Sequence, residues 1–442
     1  MIPFNEIYDV PADPSGSTAI NRAAPVDTTG NEVVVEQLSS TYEAGPIGSE
    51  NVVDIQPEIA QPEVCMLETR NVFNQLLDST VTIQELKETV EETINTESFD
   101  AGHSRLLTYA IRGIVAQQEF KGVSELNLES AVVLANTYEH NLSLLNDIQL
   151  NMEASVISGV LKAYNAIREN FSAYHRGYGA MQFRAKEADK KLRLVVGSGD
   201  VSFTFLAAHR LSVDKHTDIR SIIDGLKRSV AMANEMVSIY YPAVFELIDA
   251  TTTVVEDSIP PKTDALSTEK KRQIAADGMR KANAAFQKIV NFADVGVVSG
   301  EAFLEANGPS MGGADIKPVI RFKTGEYPDA RAELKVSRSD IAQVISLTNQ
   351  LLEATNKIYA AHSGFYNRTI RRYEEFREAY RVNAGFFRKL FQPYPLLITY
   401  LSYLAGGNGA IFVPIDAYSH FFKVTRAATK LTDTYFSKLG IK

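Results

Sequence analysis

Residues 341 to 390 read IAQVISLTNQLLEATNKIYAAHSGFYNRTIRRYEEFREAYRVNAGFFRKL, in which positions 341, 345, 348, 352, 355, 359, 362, 366, 369, 373, 376, 380, 383, 387 and 390 fall in alternating steps of four and three. That spacing holds one helix face in register through seven heptads. One seam, Ile345, Leu352, Tyr359, Tyr366, Tyr373, Tyr380 and Phe387, is apolar and aromatic. The other, Ile341, Thr348, Thr355, His362, Thr369, Phe376, Asn383 and Leu390, is far more polar. A free coiled coil favours aliphatic residues at both seams, so the pattern predicts a long helix lying against the rest of its own chain in a bundle. The tyrosine stripe accordingly reads as core, because rings that face a partner helix cannot stack on bases. Pro393 and Pro395 stop the helix.

A second long stripe precedes it. Leu142, Leu145, Ile148, Met152, Val156, Val160, Ala163, Ile167, Phe171, Tyr174, Tyr178, Met181, Ala185, Ala188 and Leu192 again step by three or four, which predicts one helix roughly 75 Å long, open to interruption at Gly177 and Gly179. Shorter amphipathic segments are expected from Leu67, over 104–118, over 217–241 before Pro242, over 268–292 after Ser267, and from Tyr418 to Leu439. The period changes to two in LRLVVGSGDVSFTF (192–205), where Gly197-Ser198-Gly199-Asp200 predicts a tight hairpin turn between 192–196 and 201–205. A second hairpin is expected between 316–325 and 332–336. The fold class is therefore mainly α: long antiparallel amphipathic helices in a bundle with one or two small β-hairpins. Four regions follow: an acidic Pro-rich leader over 1–63, a helical region with one long helix over 64–191, a mixed region of hairpins and helices over 192–338, and the heptad helix with C-terminal helices over 339–442.

Of 442 residues, 45% are apolar and 22% charged, enough apolar content for a sizeable core. A lone Cys65 excludes an internal disulfide framework or a thiolate metal site. No signal peptide is legible, and the best apolar run, Leu396 to Ala405, is too short to span a bilayer, so no membrane partner is expected. The net charge of −9 is an average of unlike parts. Residues 1 to 100 hold 19 acids and three bases (Arg22, Arg70, Lys87), leaving 35 acids and 42 bases in the remainder, a body of +7. The leader, with prolines at 3, 12, 14, 25, 46, 57 and 62 and no sustained apolar period, is expected to lack packed structure.

Catalytic motifs are missing: no GxxxxGK[ST], HExxH, GxSxG or EF-hand loop occurs, and the seven histidines never fall at the i, i+3 or i, i+4 spacing of two ligands on one helix. The glycine clusters at 177–179 and 406–409 lack the strand and helix N-terminus that a nucleotide loop requires. No enzyme, metal, cofactor or small-molecule substrate is therefore expected. Two stretches are rich in cations. One holds Arg368, Arg371, Arg372, Arg377, Arg381, Arg388 and Lys389 against Glu374, Glu375 and Glu378; the other holds Lys162, Arg168, Arg176, Arg184, Lys186, Lys190, Lys191 and Arg193 against Glu169, Glu187 and Asp189. Such helix faces can meet phosphates without reading sequence, which makes non-specific DNA a candidate partner and the first stretch the candidate DNA-facing residues. An ordinary charged helix surface is the competing reading.

The order of features, an acidic leader containing Pro and Ser, a helix-rich block including Thr96-Glu97-Ser98-Phe99-Asp100-Ala101-Gly102-His103-Ser104-Arg105 and Leu126-Asn127-Leu128-Glu129-Ser130, then long amphipathic helices, resembles the internal head proteins of giant tailed bacteriophages. The resemblance implies a structural protein packaged in the capsid interior with the genome and beside other virion proteins, passing through the bacterial cytoplasm during assembly. It further implies trimming by a prohead protease that cuts after Glu in small-x-Glu sequences. Gly48, Ser49 and Glu50 are the candidate processing site, and Ala185-Lys186-Glu187 and Ser267-Thr268-Glu269 match the same short pattern. Loss of residues 1 to 50 removes eight acids and Arg22, raising the net charge from −9 to −2. The alternative is an injected phage protein that binds a host partner.

Overall fold

The computed structural model describes residues 64–76, 78–79, 82, 86, 159–213, 216–257, 268–293, 296–307, 319–325, 332–382 and 409–441. In chain order these form helices α1 (64–76), α2 (159–176) and α3 (Tyr178–Leu192), strand β1 (Val201–Phe205), and helices α4 (Ala208–Leu211) and α5 (Ile219–Glu235). A π-helical turn (Met236–Tyr240) leads into α6 (Tyr241–Asp257) and then α7 (Thr268–Ala293). Strands β2 (Phe303–Asn307), β3 (Val319–Lys323) and β4 (Ala332–Val336) follow, then α8 (Arg338–Val382) and α9 (Val413–Lys438). The fold is mainly helical with two small antiparallel sheets. The leader, the 104–118 segment, residues 142–158 of the second stripe and the heptad positions after Val382 lie outside the described residues.

The heptad reading holds along α8. Ile341, Ile345, Thr348, Leu352, Thr355, His362, Tyr366, Thr369 and Tyr373 are all buried, so both seams face protein. Burial of the polar seam is made tolerable locally: Thr348 donates to the Val344 carbonyl at 2.7 Å and Thr355 to that of Leu351 at 2.6 Å, each satisfying its hydroxyl within its own helix. The helix begins at Arg338, ahead of the expected start, because Ser337 and Asp340 form a reciprocal cap. The Asp340 amide donates to Ser337 Oγ at 3.2 Å, and Asp340 Oδ2 accepts from the Ser337 amide at 2.9 Å and its hydroxyl at 2.7 Å.

The second stripe also holds where described. Val160, Ala163, Ile167, Phe171, Tyr174, Met181, Ala185 and Ala188 are buried, and the α-helix is interrupted at Gly177, between α2 and α3. The helix expected to end before Pro242 instead continues past it. Pro242 has no N–H to donate, and the widened turn of Met236–Tyr240, in which the Tyr241 amide reaches the Met236 carbonyl, absorbs the missing bond and lets α6 follow. Helix α9 starts at Val413 rather than Tyr418, with Pro414 in its first turn.

Both expected hairpins are paired differently. Strand 201–205 forms, but its partner is β4, in the register Val201↔Val336, Phe203↔Leu334 and Phe205↔Ala332. Residues 192–196 close α3 instead: the Arg193, Leu194 and Val195 amides donate to the Lys190, Lys191 and Leu192 carbonyls. Leu194 and Val196 are 63% and 92% exposed, so the alternation that suggested a strand has no buried face behind it. Strand β3 pairs with β2, which sequence reading did not identify, in the register Leu304↔Phe322 and Ala306↔Ile320.

The core is one continuous cluster running from Phe73 of α1 to Phe436 of α9, crossing all three regions drawn through the body. Helix α8 packs on α3, α5, α6 and α9, while α9 also meets α3, α4, β1 and β3. Tyrosines tie these layers at their edges: Tyr178 donates to the Leu352 carbonyl at 2.9 Å, Tyr240 to that of Ala410 at 2.7 Å, and Tyr435 to that of Gly199 at 2.8 Å. Gly199, at φ +60°, lies so close beneath Tyr435 that a Cβ would stand 2.5 Å from its hydroxyl, which explains a glycine at this turn. Arg70 anchors α1, pairing with Asp416 at 2.6 Å while its guanidinium lies 4.4 Å from the centre of the Phe412 ring.

Candidate functional site

Helix α9 is almost wholly enclosed. Its exposed positions are Lys423, Arg426, Lys430, Asp433, Ser437 and Lys438, and the first five form one stripe stepping by three and four. The helix carries so much apolar surface, including Ile415, Phe421, Val424, Leu431 and Phe436, that only this strip is left to solvent. Four of the six exposed residues are cations.

The neighbouring elements add charge of the same sign. Helix α3 turns Met181, Ala185 and Ala188 into the core and leaves Arg184 exposed and Lys191 half-buried, one heptad apart. Arg210, at the end of α4, is exposed as well. The Lys430 ammonium is held below the usual lysine range, first by partial burial and then by repulsion from Arg426, Arg210 and Arg184. Asp433 is pushed above the usual carboxylate range by burial, an effect opposed by the nearby Lys191 and Arg184 charges. Three elements far apart in sequence thus bring Arg184, Lys191, Arg210, Lys423, Arg426 and Lys430 around one stripe that contains a single carboxylate.

The stretch singled out from sequence is arranged differently. Arg368 is exposed, with its guanidinium 4.8 Å from the centre of the Phe245 ring. Arg371 pairs with Glu375 at 3.0 Å, and Arg372 is half-buried between Asp249 at 3.2 Å and the Thr253 hydroxyl at 3.0 Å. These arginines have partners within the chain. The side chains of Arg377 and Arg381 lie outside the described residues, as do Arg388 and Lys389 entirely and the Gly48-Ser49-Glu50 site. Of the two other small-x-Glu matches, Ala185-Lys186-Glu187 lies inside α3, where Glu187 pairs with Lys190 at 2.6 Å, and Thr268-Glu269 opens α7.

Sequence reading reached Arg184 and Lys191 through the cation-rich 162–193 stretch, but not Arg210, Lys423, Arg426 or Lys430. The available signal was the three-four spacing of 423, 426 and 430 within an otherwise apolar helix. Their meeting with α3 and α4 is a tertiary event between segments more than 200 residues apart.

Two buried histidines lie under the helices. His362 stacks on Phe171 at 4.1 Å between ring centres and approaches the Tyr241 hydroxyl at 3.3 Å through Nδ1. Burial lowers its pKa to about 3. His420 donates through Nε2 to the Ser299 carbonyl at 2.8 Å, and burial, reinforced by the Lys423 charge and opposed by that hydrogen bond, lowers its pKa to about 4. Both are neutral core residues at pH 7. Among the described residues, no group of three or more His, Cys, Asp or Glu side chains is placed to hold a metal ion, and no helix is long and apolar enough to cross a membrane.

Comparison with protein-family models, with curated proteins and with solved structures finds no match to this chain.

Proposed function

We propose that this chain is a non-enzymatic structural protein of a tailed-bacteriophage head, packaged in the capsid interior with the genome after assembly in the host cytoplasm. In this reading its body lies against DNA and other virion proteins, and its leader is removed by the prohead protease after Glu50. The observation that supports it is the separation of charge. Residues 1–63 contain eleven acids and one base, whereas the folded body gathers cations on one face formed by α3, α4 and α9. Loss of an acidic leader raises the net charge of what remains, the direction that favours confinement beside a polyanion.

The reading makes a direct prediction for the full-length chain. It will bind duplex DNA without sequence preference, and the affinity will fall about 40- to 2,000-fold between 50 and 200 mM salt, as expected for three to six phosphate contacts. Fluorescence anisotropy with two duplexes of unrelated sequence measures both properties. No binding even at the lowest salt removes DNA from the account. The rival reading, an injected protein that captures a host partner, calls for exposed apolar surface. Leu194, Val196 and Leu206, all exposed, are the residues that would serve it.

A further inference from the structure

We infer that the face formed by Arg184 and Lys191 of α3, Arg210 of α4, and Lys423, Arg426 and Lys430 of α9 is a binding site for the phosphodiester backbone of a nucleic acid. This deepens the reading of the chain as a DNA-contacting protein and rests on it. It places the contact on the α9 stripe, whereas the sequence had pointed to the cation-rich end of the heptad helix.

Four observations carry the assignment. First, the cations form rows. Lys423, Arg426 and Lys430 climb α9 in steps of three and four, which put neighbouring side chains about 5–6 Å apart, and the seven residues spanned rise about 10 Å along the axis. Arg184 and Lys191, seven residues apart on α3, span about the same length. An elongated array suits a chain of phosphates better than one compact anion.

Second, the cations stand on helix flanks. Within a helix body the backbone N–H groups are already bonded, so the face offers side-chain charge without the convergent amides that enclose a small phosphate. At the N-terminus of α8 the amides are engaged too: Arg338 donates to the Ser198 carbonyl at 3.0 Å and Asp340 to Ser337 Oγ at 3.2 Å. Third, Lys430 stands among Arg426, Arg210 and Arg184, whose repulsion adds to burial in holding its ammonium below the usual lysine range, and a polyanion would relieve that repulsion. Fourth, a lipid surface is a poorer fit. An interfacial helix buries its apolar face in the bilayer, and the apolar faces of α9 are already committed to the protein core.

The test uses the full chain and a short labelled duplex DNA across a salt series. Replacing Arg184, Arg426 and Lys430 together by Gln is expected to reduce the slope of log affinity against log salt by about 2 to 3, roughly 0.9 for each lost phosphate contact. Arg426→Gln alone is expected to reduce it by about 0.9. The matched control Arg280→Gln, Lys281→Gln and Lys357→Gln changes net charge equally at exposed positions elsewhere and is expected to leave the slope unchanged. All substituted residues are exposed, and melting temperatures equal to wild type confirm intact folding.

If the wild-type chain binds DNA and the face variants bind equally well, or the control loses as much, the assignment of this face is overturned while the DNA reading stands. If the wild type binds no DNA, both fail. Anionic vesicles are the remaining arm: binding to them, lost in the triple variant and unaccompanied by DNA binding, overturns the proposal in favour of a lipid headgroup surface.

Discussion

Acidification from pH 7 to 4.5 will destabilise this fold by about 5 kcal/mol through two histidines alone, each contributing about 2 to 3 kcal/mol. His362 and His420 are held neutral by burial, with pKa values lowered to about 3 and about 4, against 6.5 for an exposed histidine. Below pH 6.5 the unfolded chain takes up protons that the folded chain refuses. Stability is therefore fully present above pH 6.5 and is lost progressively as pH falls toward the folded values. Most of this window lies above the ordinary carboxylate range, which separates it from the titration of Asp and Glu. The groups around His362 are Phe171, Tyr241, Phe365 and Tyr366, none of which ionises between pH 4 and 7. His420 is surrounded by Ser299, Phe322, Phe421 and Lys423. Denaturant unfolding at several pH values reads the effect. His362→Phe and His420→Gln will each flatten the curve by about one proton, whatever their cost at neutral pH. A stability that does not change between pH 7 and 4.5 would mean that neither histidine is buried as described.

Phe171→Ala will have the second large effect, a loss of about 3 to 5 kcal/mol of stability at pH 7. The ring is 1% exposed and joins three helices: on α2 itself, it stacks on His362 of α8 at 4.1 Å and meets Tyr418 of α9 edge-on at 5.0 Å. The helices cannot close over the gap, because α8 is fixed at both faces and α9 is enclosed on nearly every side. The same substitution will open His362 to water and so weaken the acid dependence just described. The two effects can be read together, as a lower midpoint at pH 7 and a shallower slope below it. A loss under about 1 kcal/mol would show that the junction relaxes and that the three-helix contact is not a central element of the core.

The parts of the structure that were legible beforehand are those in which a period repeats often enough to outvote its exceptions. The α8 seams hold from Ile341 to Tyr373 despite Thr and His at seam positions, and the second stripe holds from Val160 to Ala188 across a break at Gly177. Strand pairing is a different matter. The alternation in 192–205 is real, yet a two-residue period carries no information about which strand lies opposite. Here β1 found β4, about 130 residues away, because β4 leads directly into α8 beside the 197–200 turn and the Arg338 amide reaches the Ser198 carbonyl at 3.0 Å. Pro242 misled for a related reason: a proline ends an ideal helix, but one π-turn ahead of it costs less than abandoning two well-packed helices.

The cationic face shows the same division. Arg184 and Lys191 stood out as members of a basic run, and such runs are visible along the chain. Lys423, Arg426 and Lys430 did not, because they are diluted by the apolar residues that bury the rest of α9. It is this burial that makes the remaining stripe mostly cationic. In the basic run along α8, the described arginines Arg368, Arg371 and Arg372 meet the Phe245 ring, Glu375, Asp249 and Thr253, so part of their charge is engaged by α6 and by their own helix. Local charge density is a property of sequence; electrostatic potential is a property of the packed surface.

Intact mass with N-terminal sequencing of the protein recovered from protease-treated, intact particles tests the central claim most directly. The account predicts that the protein is present inside the particles, shielded from the added protease, and begins at Asn51 just after Glu50. Full-length protein found in the cytoplasm and absent from the particles would contradict it and leave a host-directed binding protein in its place.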